Sequence, residues 1–243
     1  MNANAVIHHL ACVHEGASVG ENAAVGAFSV IEELAEIGAG TEIGAHVFVG
    51  RGVKIGSGCV IGAGCVLLAG TSVGDNAVID PGAVLGTDGF GYVFDGKKHL
   101  KIPQIGTVEI GSGAHVGACA CIDRATSGST SVGCNSVIGP MTMIGHNCRI
   151  GDDTFIAEQC GFAGSSVIGS GCRLEMQSGI AGKGGLGDSC VLHERSGVLR
   201  KFGSCQDLAG FPAREASVAK EIQGCLNMLP DVVKSLKEQE GGL

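Results

Sequence analysis

Aliphatic side chains recur at every sixth position over most of the chain. The period holds without a change of register over residues 7–85, resumes over 110–122, and after a four-residue insertion continues over 132–198. The next residue is Gly at 17 of these 29 positions. A period of six with small residues at fixed offsets predicts short strands joined by tight corners, three hexads to a coil. The pattern therefore indicates a parallel β-helix whose aliphatic side chains stack inside.

Two segments depart from this period. Residues 86–109 gather the rings of Phe90, Tyr92 and Phe94, and because a solenoid needs no such excursion we expect it to cover a site. Apolar residues at positions 218, 222, 225, 229, 232 and 236 have helical spacing instead. We expect Pro230 to divide or kink this helix. The sequence thus predicts a β-helix over 1–203 and a helical extension over 204–243, whose apolar seam favours self-association.

Composition excludes several classes of protein. The 43 glycines occur in a chain that is 44% hydrophobic, which argues against disorder, and five prolines are too few for collagen. A net charge of −8 disfavours a nucleic-acid partner bound through bulk electrostatics. The N-terminal residues lack the apolar core of a signal peptide, and the chain has no run of membrane-spanning length. We therefore expect a soluble cytoplasmic protein without an integral membrane segment.

The cysteines fit the repeat. Half of the twelve lie four residues after an aliphatic position, where a small second core residue is needed: Cys59, Cys65, Cys148, Cys160, Cys172 and Cys190. We interpret these as reduced core residues, since the sequence has no CxxC pair. His9 and His14 resemble metal ligands on an end coil, but no third ligand stacks with them, so no metal site is expected.

Stacking converts sequence offset into proximity, because residues 18 apart lie one coil apart, about 4.8 Å. His146 follows the inward Ile144 by two residues and is expected at an outward corner, with Gly164 directly above it. Lys183 is expected two coils up and Arg124 one coil below. A neutral imidazole accepts a proton from an amine or hydroxyl, and an unobstructed Gly N–H holds an oxyanion. The column predicts acyl transfer; a surface histidine at a corner is the alternative.

Several runs resemble one known family. The hexads occur together with Thr-Asp-Gly-Phe-Gly-Tyr at 87–92, Lys-Ile-Pro-Gln at 101–104, Ile-Asp-Arg at 122–124 and Ile-Gly-His-Asn-Cys-Arg-Ile-Gly at 144–151. Together they resemble the UDP-3-O-acylglucosamine N-acyltransferases of lipid A biosynthesis. The resemblance implies a left-handed β-helix and a homotrimer with active sites between subunits. It also implies a nucleotide-sugar substrate and, as donor of a 3-hydroxyacyl chain, an acyl carrier protein with its 4′-phosphopantetheine; no bound cofactor is expected.

The resemblance also assigns roles to residues. It maps the family's catalytic histidine onto His146 and its oxyanion glycine onto Gly164, in agreement with the stacking. Substrate-binding roles are expected at Asp88, Phe90, Tyr92, Gln104, Asn147 and Lys183. Carrier-protein contacts are expected at Arg195, Arg200 and Lys201, where a basic patch would meet an acidic carrier.

The chain departs from the family pattern at four points. The family has a uridine-binding domain before the hexads, whereas this sequence begins in hexads. Nucleotide recognition is therefore expected to be weaker, rebuilt elsewhere or supplied by residues 86–109. The acidic or amide run before the catalytic histidine is Gly-Pro-Met at 139–141. Lys183 replaces a second active-site histidine and is expected to hold substrate phosphate. Gly197 and Leu199 stand where bulky residues limit acyl length, which predicts a different chain length.

The leading hypothesis is N-acylation of the glucosamine 2-amine from a carrier-bound thioester. One alternative keeps the chemistry and changes the substrate, to O-acylation of a sugar hydroxyl or to CoA-dependent N-acylation of another nucleotide sugar. An alternative of a different class is a catalytically silent trimeric β-helix scaffold. The Gly-Pro-Met run favours the scaffold, whereas the joint presence of His146, Gly164 and Arg200 favours the enzyme.

Overall fold

The computed structural model describes residues 4–240. The extreme ends of the two predicted segments, residues 1–3 and 241–243, lie outside the described residues. The first run of hexads forms the strands β1 (Val6–Ile7), β2 (Cys12–Val13), β3 (Ser18–Val19), β4 (Ala24–Val25), β5 (Val30–Ile31), β6 (Glu36–Ile37), β7 (Glu42–Ile43), β8 (Phe48–Val49), β9 (Lys54–Ile55), β10 (Val60–Ile61), β11 (Val66–Leu67), β12 (Ser72–Val73), β13 (Val78–Ile79) and β14 (Val84–Asp88).

The middle of the chain contains both interruptions of the period. Its strands are β15 (Tyr92–Phe94), β16 (His99–Lys101), β17 (Thr107–Ile110), β18 (His115–Val116), β19 (Cys121–Arg124) and β20 (Ser129–Val132). The strands β15 and β16 pair as an antiparallel hairpin, which forms a two-stranded sheet of its own.

The last run of hexads leads to the helix. Its elements are β21 (Val137–Ile138), β22 (Met143–Ile144), β23 (Arg149–Ile150), β24 (Phe155–Ile156), β25 (Gly161–Phe162), β26 (Val167–Ile168), β27 (Arg173–Leu174), β28 (Gly179–Ile180), β29 (Gly185–Leu186), β30 (Val191–Leu192), β31 (Gly197–Val198), β32 (Asp207–Ala209), β33 (Arg214–Glu215) and α1 (Ala216–Glu240).

The strands assemble into three parallel sheets, each containing every third strand of the coil. The first sheet begins β1-β4-β7-β10, the second β2-β5-β8-β11 and the third β3-β6-β9-β12. Val60 pairs with Val78 in register, a separation of 18 residues. This register confirms the predicted coil of three hexads. The first sheet extends past the hexads to β32, which pairs with β30 in parallel, and ends at the antiparallel β33.

The core is the inward row of aliphatic residues. Every such position is buried except Ile7 and Val13, in β1 and β2, which are half-buried. The six hexad cysteines are buried free thiols, so their predicted role as core residues is confirmed. Burial raises the pKa of the Cys148 and Cys160 thiols, among others, which disfavours the reactive thiolate.

The helix α1 is continuous over 25 residues and contains Pro230. The expectation that Pro230 divides it is therefore wrong. Proline removes one backbone hydrogen bond, and a helix with more than two turns on either side has enough others to continue. The predicted seam, including Ile222, Leu229 and Leu236, is exposed on the single chain. Within residues 4–240 no helix is both long and apolar enough to span a bilayer.

Candidate active site

Both interruptions of the hexad period pack against the corner that carries His146. The chain leaves the second sheet after β14, at residue 89, and rejoins the β-helix at β17 in the third sheet. The four-residue insertion lies between β19 and β20. The Gly106 N–H donates to the Ala125 carbonyl at 2.9 Å, and the Ile105 N–H donates to the Thr126 carbonyl at 3.1 Å. The two excursions thus brace each other and enclose one corner of an otherwise regular solenoid.

The imidazole of His146 lies between two glycines. Ile144 pairs with Phe162, so His146 and Gly164 hold the same corner position on successive coils, as predicted. A methyl group built on Gly164 would overlap Nε2 of His146. On the other side, a methyl group on Gly89 would lie 2.6 Å from the His146 Cβ. Only glycine at both positions leaves room for the ring in this place.

The backbone N–H of Gly164 has no hydrogen-bond acceptor among residues 4–240. A free N–H is common at these corners. Gly164 differs because it has no side chain and because Nε2 of His146 lies directly against it. A proton acceptor and an unpaired backbone donor therefore lie at the same corner of the β-helix.

The neighbours of His146 Nδ1 determine which ring nitrogen carries hydrogen. Nδ1 lies 3.2 Å from Asn147 Oδ1. That oxygen also accepts the Thr126 N–H at 2.9 Å, while Asn147 Nδ2 donates to the Ser127 carbonyl at 2.9 Å. These bonds fix the amide orientation, so Nδ1 faces an acceptor, which favours the tautomer with hydrogen on Nδ1. In that tautomer Nε2 keeps its lone pair toward Gly164, the form needed for a general base.

A buried carboxyl, that of Asp123, organises the loop over this site. It accepts a hydrogen bond from the Thr87 hydroxyl at 2.7 Å, and the Phe90 N–H lies near it. Burial raises the pKa of the Asp123 carboxyl, and the Thr87 bond and the nearby His146 and Lys101 oppose that rise. Lys101 donates in turn to the carbonyl of Gly89. The carboxyl thus fixes the loop and places negative charge near a ring that becomes cationic on accepting a proton.

Asp123→Asn is expected to lower activity about tenfold, because one charge-assisted interaction is lost. The free energy of unfolding of the variant is expected to rise relative to that of the wild type as pH rises. Between the ordinary pKa of 3.8 and the raised native value the folded protein binds more protons than the unfolded one, so this carboxyl costs stability as pH rises. Urea unfolding of both proteins from acid to neutral pH checks this. The control is Asp152→Asn, whose exposed carboxylate accepts the Cys134 N–H. A free energy of unfolding that falls in Asp123→Asn relative to the wild type as pH rises contradicts the assignment.

Three of the predicted substrate-binding residues are exposed between the end of β14 and the start of the hairpin. Asp88 is exposed, and its carboxylate lies 3.9 Å from Nε of Arg124. Phe90 is 86% exposed and its ring lies 5.2 Å from that of Tyr92. Arg124 holds the predicted corner position, but its guanidinium is committed to backbone carbonyls, that of Gly86 among them at 2.7 Å. Two aromatic rings and a carboxylate are thus presented to solvent beside the site.

The other predicted substrate-binding residues are placed differently. Gln104 is buried, with its amide bonded to two carbonyls of its own loop and to the Thr126 hydroxyl. The amide of Asn147 is also committed to protein partners. Lys183 is exposed at a corner two coils above His146, and its backbone N–H donates to the Gly164 carbonyl at 3.2 Å. Of these three, Lys183 presents a free polar group.

An apolar groove of about 550 Å³ runs along the second sheet above β22. Its floor is a column of glycines in register, Gly161, Gly179 and Gly197. Leu199 and Phe211 line its far end, where the Phe211 ring lies so close to Gly197 that a methyl group there would overlap it. The three steps from β22 to β31 correspond to roughly 14 Å. The groove is therefore a smooth trench that begins beside the His146 corner and is closed by bulky side chains.

The predicted carrier-binding residues lie on the last coil. Arg195 and the pair Arg200 and Lys201 are exposed at the two corners that flank β31. The Arg200 guanidinium stacks on the Phe202 ring at 4.9 Å, and Arg195 Nε donates to Gln177 at 3.1 Å. Positive charge is thus concentrated near the closed end of the groove.

One cluster has the spacing of metal ligands. Ligand atoms of Glu175, His193 and Glu194 lie within 4.8 Å of one another. His193 Nε2 is 2.7 Å from Asp207, and Nε of Arg173 is 3.6 Å from Glu175. Two of the three residues, Glu175 and His193, thus also contact charged side chains outside the cluster.

The hexad pattern did not single out five residues of the site: Gly89, Thr87, Lys101, Asp123 and Thr126. Four of them lie in the runs that carry the family resemblance, and two carried a signal in the repeat itself. Asp123 occupies the position after an aliphatic residue, where Gly is usual, and Thr126 lies in the four-residue insertion. The remaining three lie on the 86–109 excursion, whose path the repeat does not determine.

Comparison with known proteins identifies the repeat and the class of fold. The profile described as bacterial transferase hexapeptide (six repeats) matches residues 34–69, 52–87 and 129–164. A solved UDP-N-acetylglucosamine acyltransferase from Arabidopsis superimposes with a TM-score of 0.79, at 24% identity, over 86% of this chain and 73% of that one. The chain is a left-handed β-helix of hexapeptide repeats with a C-terminal helix, which confirms the predicted fold class.

Two curated relatives share a higher sequence identity with this chain. UDP-3-O-acylglucosamine N-acyltransferase 1 of Gloeobacter violaceus is 41% identical over 168 residues, covering 69% of this chain and 48% of that protein. The UDP-3-O-acylglucosamine N-acyltransferase of Anaeromyxobacter sp. (strain Fw109-5) is 42% identical over 163 residues, covering 65% and 46%. The resemblance stated from the sequence motifs is confirmed. The chain spans half or less of the length of these curated relatives.

Proposed function

We propose that the chain is an acyltransferase of lipid A synthesis that moves a 3-hydroxyacyl chain from acyl carrier protein to the 2-amine of UDP-3-O-acylglucosamine. The observation that carries this proposal is the position of His146 Nε2 directly against Gly164, a residue with an unpaired N–H and no side chain. The N-acyltransferases with about 40% identity support the choice of substrate.

The arrangement suits each step of acyl transfer. As the amine attacks the thioester carbon, His146 Nε2 takes a proton from the nitrogen. The carbonyl oxygen becomes an oxyanion and accepts a hydrogen bond from the Gly164 N–H. When the intermediate collapses, the carbon–sulfur bond breaks and the imidazolium returns its proton to the pantetheine sulfur. An amide and a free thiol are the products, and the imidazole is again neutral.

Other features fit the remaining parts of the substrates. The glycine-floored groove has the shape and polarity for an acyl chain, and Leu199 and Phe211 would limit its length. The exposed Phe90 and Tyr92 offer rings to a nucleobase, and Lys183 offers charge to a phosphate. The cations flanking β31 would meet an acidic carrier protein. The exposed seam of α1 suits a homotrimer in which a neighbouring subunit completes the site.

The test determines both the linkage and the donor. Purified protein is incubated with 3-hydroxyacyl carrier protein or the matching acyl-CoA, and with UDP-3-O-acylglucosamine or UDP-N-acetylglucosamine. We expect carrier-dependent acylation of the first acceptor, with a product stable to mild alkali. An alkali-labile product indicates O-acylation, and preference for acyl-CoA indicates a different donor. A folded oligomer that forms no product with any pair favours the scaffold.

Filling the groove is expected to change chain-length preference. A side chain at Gly161 would meet open space, so Gly161→Leu fills the groove without strain on the backbone. We expect transfer of long chains to fall at least tenfold while short acyl donors are retained, since each buried methylene displaced is worth about 0.8 kcal/mol. The control is Gly203→Leu, at another glycine with open space, outside the groove. Equal loss for short and long donors contradicts an acyl role for the groove.

A further inference from the structure

The hydroxyl of Thr126 links the buried amide of Gln104 to the imidazole of His146. Thr126 Oγ1 lies 2.9 Å from Gln104 Oε1 and 3.4 Å from His146 Nδ1. Gln104 belongs to the 86–109 excursion and Thr126 to the four-residue insertion. The two interruptions of the repeat therefore meet in one chain of polar contacts that ends at His146.

The direction of these hydrogen bonds follows from Gln104. Its Nε2 donates to the carbonyls of Ile102 at 3.1 Å and Pro103 at 3.3 Å, so Oε1 faces Thr126. A carbonyl oxygen only accepts, and the Thr126 hydroxyl must therefore donate its single hydrogen to Gln104. The hydroxyl oxygen is left with lone pairs toward His146 and accepts from Nδ1–H.

Thr126 also acts through its backbone. Its N–H donates to Asn147 Oδ1 at 2.9 Å, the other acceptor beside Nδ1. The hydroxyl and the Asn147 oxygen together surround the Nδ1 hydrogen with acceptors. Thr126 reaches the ring from the four-residue insertion.

We propose that Thr126 is a positioning residue, whose hydroxyl, oriented by Gln104, holds His146 as the Nδ1–H tautomer with Nε2 free toward Gly164. The tautomer itself is a property of the free protein. Its consequence for turnover rests on the proposed acyl transfer. Valine at position 126 keeps the shape and removes the acceptor, whereas serine keeps the acceptor and removes a methyl group.

The first test is the tautomer, read from ¹⁵N–¹H correlation spectra of histidine-labelled protein in alkaline buffer, with His146 assigned by its loss in His146→Gln. We expect a ring protonated at Nδ1 in the wild type and in Thr126→Ser, and a mixture of tautomers in Thr126→Val. Thr142→Val is the control, because that buried hydroxyl donates to the Ala157 carbonyl at 3.3 Å. A His146 signal unchanged in Thr126→Val overturns the proposal.

The second test is the division between kcat and KM. Loss of one net hydrogen bond of about 1 kcal/mol predicts a fall in kcat of roughly fivefold in Thr126→Val. KM is expected to stay within twofold, and Thr126→Ser to recover the rate. A purely structural role predicts equal loss in the Ser variant or a change confined to KM, and either result overturns the proposal.

A second variant covers the case in which Thr126→Val does not fold. Gln104→Leu removes the acceptor that holds the hydroxyl hydrogen, so the hydroxyl is free to donate to Nδ1 and the Nε2–H tautomer is expected to increase. An unchanged tautomer of His146 in a folded Gln104→Leu protein contradicts the proposed hydrogen bond from the Thr126 hydroxyl to Gln104. If the wild type transfers no acyl group to any acceptor, the proposed function fails, while the spectra still decide the role of Thr126.

Discussion

Replacing His146 with Gln is expected to lower kcat/KM for acyl transfer about 10³-fold, the usual contribution of a positioned general base. Glutamine has similar size and polarity but cannot accept the amine proton at the position of Nε2. Because His146 is half-buried at a corner and outside the aliphatic core, the fold is expected to persist. Thiol release from the acyl donor, followed continuously with a thiol reagent, measures the loss.

The matched control is His115→Gln. His115 is also half-buried, in β18 of the first sheet, and its Nε2 lies 2.9 Å from Asp80 Oδ2. We expect this variant to turn over at the wild-type rate. A His146→Gln protein that keeps more than a tenth of the activity, with the control unchanged, contradicts the assignment of the base.

Gly164→Ala is expected to lower kcat/KM about 10²-fold, the effect of misplacing a reacting group by about 1 Å. The added methyl group would overlap Nε2 of His146 and the two carbon atoms bonded to it. The nearest obstacle is thus the far end of a side chain that rotates, so the ring moves and the backbone does not. The measurement pairs the rate of acyl transfer with thermal unfolding, and we expect a large loss of rate with little change in Tm.

Gly182→Ala provides the matched comparison. Gly182 holds the same corner position one coil above Gly164, and a methyl group there would lie 3.5 Å from the Gly164 carbonyl, an ordinary contact. This variant is expected to retain activity. Equal loss in both variants would show that the corner tolerates no side chain for structural reasons, and the special role of Gly164 would be lost.

The regular part of the fold could be predicted because one short rule generates it. An aliphatic residue every sixth position fixes the inward row, and the 18-residue register then places Gly164 above His146 without any knowledge of side-chain contacts. The same rule explains why cysteines such as Cys148 are buried. The helical spacing of the C-terminal segment identified α1, while the effect of Pro230 depended on how much helix flanks it.

The interruptions could not be predicted in the same way. A loop that leaves a solenoid has no register, so nothing in the sequence placed Gly89 against His146 or the Lys101 ammonium on the Gly89 carbonyl. Asp123 occupies a position of the repeat where Gly is usual. Only the path of residues 87–90 shows that the Asp123 carboxyl is buried against that segment. The role of Thr126 could be predicted only if the paths of both interruptions were known. Its hydroxyl lies on the four-residue insertion and is oriented by Gln104 of the 86–109 excursion.

The most direct test of the central claim is the mass of the product that wild-type and His146→Gln proteins form in parallel from 3-hydroxyacyl carrier protein and UDP-3-O-acylglucosamine. The account predicts an acceptor heavier by one 3-hydroxyacyl group in amide linkage, formed by the wild type and nearly absent with the variant. Product formed at equal rates by both proteins, or by neither although both are folded, would contradict it.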